Sequence, residues 1–148
     1  MQNFDPLHLD NQLCFALYST SLAMTQIYKP LLEPLGLTYP QYLIMLILWE
    51  EDGIGLKDIG ARLGQKSGAL TPVVKRLEAD GLIKRMRALD DDRALNIQLT
   101  TKGLALKAQG REVNRCIIDA CATSAEDFSQ LKSQLDRLRE KLSRHLES

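Results

Sequence analysis

The sequence is poor in the residues that several protein classes need. It has three cysteines, an odd number that argues against a framework of structural disulfides. Its two histidines, His8 and His145, lie at opposite ends of the chain, and no His/Cys/Asp/Glu cluster has metal-ligand spacing, so we expect no metal site. A glycine-rich phosphate loop and a recognisable nucleophile–base arrangement are both missing, and we therefore expect neither an enzyme nor a bound cofactor.

Long apolar runs and an excess of charge are missing as well. The longest apolar run, Tyr42 to Trp49, has eight residues, whereas a membrane span needs about 20. The N-terminus has no secretion signal, so we expect a reduced, cytoplasmic protein with no membrane partner. The 19 basic and 19 acidic side chains cancel, and net charge alone indicates no polyanion partner. The length of 148 residues and the 45% hydrophobic content predict a single domain over 1–148.

The most informative pattern lies between residues 56 and 101. Apolar residues at helical spacing predict a short helix over 56–63, which Gly64 ends. Ser67 is the expected N-cap of a second helix over 68–80. Two helices joined by about three residues that include Gly are typical of a helix-turn-helix.

A β-hairpin pattern follows these helices. Segments 82–87 and 94–99 predict two strands joined by a polar turn over 88–93. Between Leu56 and Leu89, eight Lys or Arg outnumber three acids, so this stretch attracts phosphate on an otherwise neutral chain. The alternative is an ordinary helical protein with a solvated basic face. We predict a mainly α protein with a small β-hairpin wing, a winged helix-turn-helix over about 55–100.

The predicted DNA contacts lie on the second helix and on the wing. The start of the second helix is expected to enter the major groove, and the basic residues that follow should approach phosphates. Arg93, steered by Asp91 at the wing tip, is expected to enter the minor groove. The full predicted set is Lys66, Ser67, Thr71, Lys75, Arg76, Arg85, Arg87, Asp91 and Arg93.

Helices on both sides of this module, over about 1–35 and 101–148, are predicted to form a dimer interface. The first helix is expected from about Asp10 to Leu32, another opens at Thr38 or Tyr39, and one long helix follows Thr101. A last helix from Ser124 carries an apolar stripe with spacings of three and four, formed by Phe128, Leu131, Leu135, Leu138, Leu142 and Leu146. The alternative is that this stripe packs within one protomer; we favour a homodimer on a pseudo-palindromic operator.

One cysteine stands out by its position. If Asp10 caps the first helix, Cys14 is the fourth helical residue, where the helix N-terminus favours a thiolate. The thiolate is the form that attacks peroxides, and a nearby tyrosine hydroxyl would favour it further by donating a hydrogen bond. The alternative is that Cys14 is a small buried hydrophobic residue. Sequence chemistry alone leaves both open.

Several segments, in order along nearly the whole chain, resemble the organic hydroperoxide resistance regulators (OhrR) of the MarR family. They are Leu9-Asp10-Asn11-Gln12-Leu13-Cys14-Phe15-Ala16-Leu17-Tyr18, Tyr28-Lys29-Pro30-Leu31-Leu32, Leu37-Thr38-Tyr39-Pro40-Gln41-Tyr42-Leu43, Leu70-Thr71-Pro72, Lys75-Arg76-Leu77-Glu78, Asp91-Asp92-Arg93 and Leu99-Thr100. The resemblance departs at Lys66 and Ala69, where such regulators commonly have an acid and a hydroxyl. Their operator sequence therefore does not carry over to this chain.

The resemblance implies a redox-sensing repressor. The reduced dimer would bind operator DNA, an organic hydroperoxide would oxidise Cys14 to a sulfenic acid, and the repressor would then leave the DNA. Tyr28 and Tyr39 would hydrogen-bond the sulfur. Since fourteen helical residues rise about 21 Å, Tyr28 would have to come from the other subunit. The competing hypothesis is a MarR-type repressor released by a non-covalently bound phenolic or lipophilic ligand.

The fate of the oxidised sulfur differs between members of this group. Two-cysteine members resolve the sulfenic acid with a second cysteine near the start of the last helix, whereas single-cysteine members need an external thiol or further oxidation. The resemblance implies Cys121 as the resolving cysteine, with Cys116 as the alternative. Cys121 also follows Ile117 by four residues, so packing is an equally simple explanation for it.

Overall fold

The computed structural model describes residues 5–88, 91–121 and 124–147, without the side chains of residues 88 and 91–94. Short 3₁₀ turns at Leu9–Asn11 and Glu33–Leu35 lie before and after the first helix. The regular elements run in the order α1 (Leu13–Leu32), α2 (Tyr39–Glu50), β1 (Ile54–Gly55), α3 (Leu56–Leu63), α4 (Ser67–Ala79), β2 (Ile83–Ala88), β3 (Asp91–Leu99), α5 (Thr101–Ala105), α6 (Lys107–Cys121) and α7 (Ala125–Glu147).

The predicted winged helix-turn-helix is confirmed. Helices α3 and α4 are joined by a short turn in which Gly64 adopts the left-handed conformation, with φ of 68°. The antiparallel sheet has the order β1-β3-β2, and its β2–β3 hairpin is the wing. Strand β1, Ile54–Gly55, was not predicted, because two residues are too few to show a strand periodicity. It pairs with Asn96 and Ile97 of β3 and so ties the start of α3 to the wing.

Two predicted helix starts are wrong by one or two residues. The cap of α1 is Gln12 rather than Asp10, because residues Leu9–Asn11 form a 3₁₀ turn and Gln12 is extended. The cap of α4 is Lys66, so Ser67 is the first helical residue and not the N-cap. Neither true cap makes a side-chain capping bond. The start of α2, by contrast, is confirmed: Thr38 and Gln41 form a capping box.

The single long helix predicted after Thr101 is two helices, α5 and α6. The indole N–H of Trp49 donates to the carbonyl of Gly103 at 3.0 Å. In a continuous α-helix this carbonyl would accept from the N–H of Lys107, four residues later. The indole of Trp49 therefore binds the carbonyl that the helix would use, and the helix is interrupted at this point. The Lys107 side chain also donates to the carbonyl of Trp49, at 3.2 Å.

Helix α2 supplies much of the core. Its apolar run from Tyr42 to Trp49 is mostly buried, and Leu46 is its one exposed position at 39%. A helix that is apolar nearly all round must be covered on most sides, and α2 packs against α3, α4 and β3. The chain divides into two compact units, Met1–Arg111 and Glu112–Ser148. In the described ranges no single helix is both long and apolar enough to cross a membrane; the bent pair Leu13–Leu35 and Tyr39–Glu50 passes such a test only jointly.

Candidate DNA-binding surface and thiol site

The second helix of the helix-turn-helix is held by its apolar face. Leu70, Val74 and Leu77 of α4 are almost completely buried. Ser67, Thr71 and Lys75 are spaced by four residues and so lie along one side of α4, where Ser67 and Thr71 are half-buried and Lys75 is exposed. The hydroxyl of Thr71 donates to the carbonyl of Ser67 at 3.1 Å, which sets its orientation.

The structure places the predicted basic contacts in two groups. Lys66, Lys75 and Arg87 are exposed. Arg76 and Arg85 are in ion pairs within the chain: Arg76 Nε lies 3.5 Å from Asp80, and Arg85 Nη2 lies 2.9 Å from Glu78. The hydrogen bonds and the charge of Arg85 hold the pKa of the Glu78 carboxyl below its ordinary value. Among the predicted DNA contacts whose side chains the structure describes, Arg85 has the guanidinium with the most contacts to a carboxylate.

The wing turn is shorter than predicted. Ala88 pairs with Asp91, and the register of the hairpin shifts between Arg87 and Ala88. The backbones of Asp91 and Arg93 consequently belong to β3 instead of the turn. The side chains of both lie outside the described part of the chain, so their predicted role at the wing tip stays a prediction.

Cys14 lies at the very beginning of α1. It is the second helical residue, not the fourth as predicted, because the helix starts later than Asp10. The first N–H groups of a helix have no acceptor within it, so this end carries partial positive charge. Cys14 is exposed, which argues against its being a buried core residue of a single chain.

The two predicted sulfur-binding tyrosines lie side by side. The rings of Tyr28 and Tyr39 have centroids 4.9 Å apart, and Tyr42 is 5.6 Å from Tyr28. Burial raises the pKa of Tyr39 above its ordinary value of 10.0, a direction that favours the protonated hydroxyl, which is the hydrogen-bond donor. Tyr28 follows Cys14 by fourteen residues in the same helix, a rise of about 21 Å. A single chain therefore brings the tyrosines together but not to the sulfur.

A cleft opens beside these tyrosines. It has a volume of about 460 Å³ and is open to solvent. Tyr39 lines it together with Leu32 and Leu37, and its other lining residues are Thr25, Gln26, Lys29, Glu33 and Thr38. Most of the lining surface is apolar, which suits the organic part of a small lipophilic molecule.

The sequence did not predict the long-range hydrogen bonds made by Tyr42, which lies next to Tyr28, and by Trp49. The hydroxyl of Tyr42 donates to the carbonyl of Gly110 at 3.4 Å, and the ring of Tyr42 meets Trp49 edge-on at 6.3 Å. Trp49 in turn donates to Gly103. These partners lie 68 and 54 residues apart in sequence, so no local pattern reports them.

The other two cysteines are in the second half of α6. Cys116 is partly buried, whereas Cys121 is exposed and is the last residue of the helix. All three cysteines are free thiols. Among the described residues, no group of three or more His, Cys, Asp or Glu is arranged to hold a metal ion.

Exposed apolar side chains line two of the helices. On α1 they are Leu13, Leu17, Leu22 and Ile27. Helix α7 has no buried residue among those described, and its leucine stripe is exposed at Leu131, Leu135, Leu142 and Leu146. An exposed leucine stripe such as that of α7 is rare on a monomer and is typical of an interaction face.

Comparisons with known proteins match this architecture. A family model described as the transcriptional regulator SarA/Rot matches residues 26–109. The chain is 47% identical over 143 residues to the organic hydroperoxide resistance transcriptional regulator of Bacillus subtilis (strain 168), which covers 96% of this chain and 97% of that protein.

Among solved structures the chain is similar to AbfR, a protein of Staphylococcus epidermidis. Reduced AbfR bound to DNA matches with a TM-score of 0.82 and 38% identity, covering 95% of both chains. AbfR with its disulfide formed matches with a TM-score of 0.65 and 37% identity, covering 95% of this chain and 93% of that one.

Proposed function

Because this chain belongs to the organic hydroperoxide resistance regulators of the MarR family, we propose that it is a repressor that binds operator DNA when reduced and releases it when an organic hydroperoxide oxidises Cys14. The observation that carries the proposal is the exposed thiol of Cys14 at a helix N-terminus. The paired Tyr28 and Tyr39 support it, because they are suited to bind a sulfur that their own chain does not bring to them.

The sensor is then completed by a second copy of the chain. The exposed apolar faces of α1 and α7 favour a homodimer with burial of both. If the α1 helices run antiparallel across the two-fold axis, the N-terminal Cys14 of one subunit faces the C-terminal Tyr28 of the other. A site built from both subunits couples chemistry at the sulfur directly to their packing, and so to the spacing of the two recognition helices.

The proposed chemistry is a two-electron oxidation of the thiolate. The sulfur of Cys14 attacks the terminal oxygen of the hydroperoxide, an S–O bond forms and the O–O bond breaks. The products are a sulfenic acid and an alkoxide, which takes a proton from a tyrosine hydroxyl or water to leave as an alcohol. The apolar cleft beside Tyr39 supports an organic oxidant over hydrogen peroxide, because it can take up the organic group.

The proposal is tested with DNA that the protein itself selects. A duplex is enriched from a random pool by the reduced wild-type protein and is called the selected duplex below. Its affinity is measured before and after treatment with cumene hydroperoxide. Release that a thiol reductant reverses is expected, whereas release without any change at a cysteine would favour the non-covalent ligand alternative.

On the wing, Arg93→Ala is expected to weaken binding to the selected duplex by about 1–3 kcal/mol, because an arginine in the minor groove would be lost. The measurement is fluorescence anisotropy at fixed salt. Arg111→Ala is the control, since it removes one charge from an exposed position in α6. Equal affinities for Arg93→Ala and wild type would contradict the assignment of the wing.

For the oxidised sulfur, we propose that Cys121 attacks the sulfenic acid of the other subunit's Cys14 to form a disulfide and water. The exposure of Cys121 at the end of α6 supports it over Cys116. The similar protein AbfR has been solved with a disulfide formed, which supports a disulfide as the oxidised product without favouring either cysteine. Hydroperoxide should give a reducible covalent dimer on a non-reducing gel, which Cys121→Ser abolishes and Cys116→Ser retains. Monomer alone, with sulfenic acid on Cys14, would indicate an external thiol instead.

A further inference from the structure

A single carboxylate joins the end of the recognition helix α4 to the wing. Strand β2 lies at an edge of the sheet. There the backbone N–H of Arg85 donates to Oε2 of Glu78 at 3.2 Å. The other oxygen of Glu78 accepts from Nε of Arg85 at 3.1 Å and lies 2.9 Å from its Nη2. We name this set of contacts the Glu78–Arg85 clamp.

The Glu78–Arg85 clamp has more contacts and less solvent exposure than the neighbouring ion pair of the same helix. Arg76 and Asp80 make one contact at 3.5 Å, and the Arg76 side chain is 72% exposed. In the clamp, the Arg85 and Glu78 side chains are 30% and 36% exposed and meet at several points. Charge-assisted contacts from two guanidinium nitrogens to one carboxylate oxygen, a backbone donor on the other oxygen and partial shielding from solvent all counter the screening that weakens surface ion pairs.

The clamp has two consequences for DNA binding. It makes the guanidinium of Arg85 less available to phosphates, because Nε and Nη2 contact a carboxylate. It also fixes β2 against α4, in addition to the backbone bond from Leu82 to Leu77 at the root of the wing. Since helix and wing are proposed to enter different grooves, the angle between them decides whether both can bind one site at once.

We propose that Glu78 is a positioning residue that determines DNA specificity: it clamps Arg85 and holds the wing at the angle at which wing and recognition helix bind one site together. The proposal rests on the DNA-binding part of the proposed function and not on its thiol chemistry. Glu78 touches no DNA in this role. Arg85, predicted from sequence as a DNA contact, becomes the anchor of the wing.

The test compares two substitutions that each remove one negative charge from the C-terminal end of α4. Glu78→Gln breaks the link between helix and wing, whereas Asp80→Asn breaks only the pair with Arg76 inside the helical segment. Dissociation constants are measured for the selected duplex and for a random-sequence duplex of equal length, at several salt concentrations. Thermal unfolding of each variant checks that the fold is retained.

In Glu78→Gln, the ratio of affinities for the selected over the random duplex is expected to fall on the order of tenfold. Random-duplex binding should also become more salt-dependent, with a log–log slope steeper by about 0.9, because the released Arg85 can meet one more phosphate. Arg85→Gln should lower the affinity ratio without steepening the salt dependence, because it breaks the clamp and releases no cation. If Glu78→Gln does not fold, Arg85→Gln serves as the test. Asp80→Asn should keep the ratio within about twofold.

Equal ratios in Glu78→Gln and Asp80→Asn would overturn the proposal, because the effect would then be one of charge alone. An unchanged ratio in Arg85→Gln would overturn it too. A wild-type protein that enriches no duplex from the pool would instead refute DNA binding itself and this proposal with it. This outcome can be told apart from the two outcomes above, because it is observed with the wild-type protein alone.

Discussion

Cys14→Ser is expected to bind the selected duplex like wild type and to stay bound after hydroperoxide treatment. The hydroxyl is close in size to the thiol, and Cys14 is exposed, so little packing within the chain depends on the sulfur. A serine hydroxyl is not oxidised by hydroperoxides, so the step that starts release is missing. In wild type we expect oxidation to lower the affinity by about 5- to 150-fold, the usual size of coupling between two sites.

The measurement is a DNA-binding titration with and without cumene hydroperoxide, with Cys116→Ser as the matched control. That variant makes the same substitution at a partly buried cysteine and should respond fully. Tyr39→Phe and Tyr28→Phe should bind DNA normally but respond more slowly, because a donor to the sulfur is lost. If Cys14→Ser still released DNA, the thiol mechanism would be refuted and a ligand-released repressor favoured.

The largest expected effect on stability is that of Gly103→Ala. A Cβ at Gly103 would lie 2.0 Å from the carbonyl oxygen of Leu82 and 3.3 Å from the Leu99 side chain. The first neighbour is backbone at the root of the wing, so it cannot rotate away as a side chain would. We expect a loss of about 3 kcal/mol in the free energy of unfolding, the upper end of the usual overpacking cost.

Urea unfolding at one fixed protein concentration measures this loss, because a dimer would make stability depend on concentration. Gly68→Ala is the matched control on α4: a Cβ there meets nothing within 4 Å. It should leave stability unchanged or raise it by up to about 1 kcal/mol, through helix propensity. Equal midpoints for wild type and Gly103→Ala would contradict the prediction and mean that the backbone at Leu82 moves aside at little cost.

Signals carried by adjacent residues predicted the order of the elements well. Gly64 ends α3 as predicted, and the capping box of Thr38 and Gln41 opens α2. The same kind of signal failed at Asp10 and Ser67, which have side chains that favour capping but do not cap. The helices begin after the extended residues Gln12 and Lys66 instead, and neither of these makes a side-chain capping bond.

The sequence by itself determined the winged-helix order, the position of Cys14 near a helix start and the apolar stripe of the last helix, because each depends on spacing along one segment. Only the tertiary structure decided which groups meet. In the structure Arg85 donates to the Glu78 carboxylate, Trp49 donates to the Gly103 carbonyl, and the rings of Tyr28 and Tyr39 lie side by side. Periodicity reports which face of an element is apolar, whereas the partner of a polar group depends on how distant segments pack.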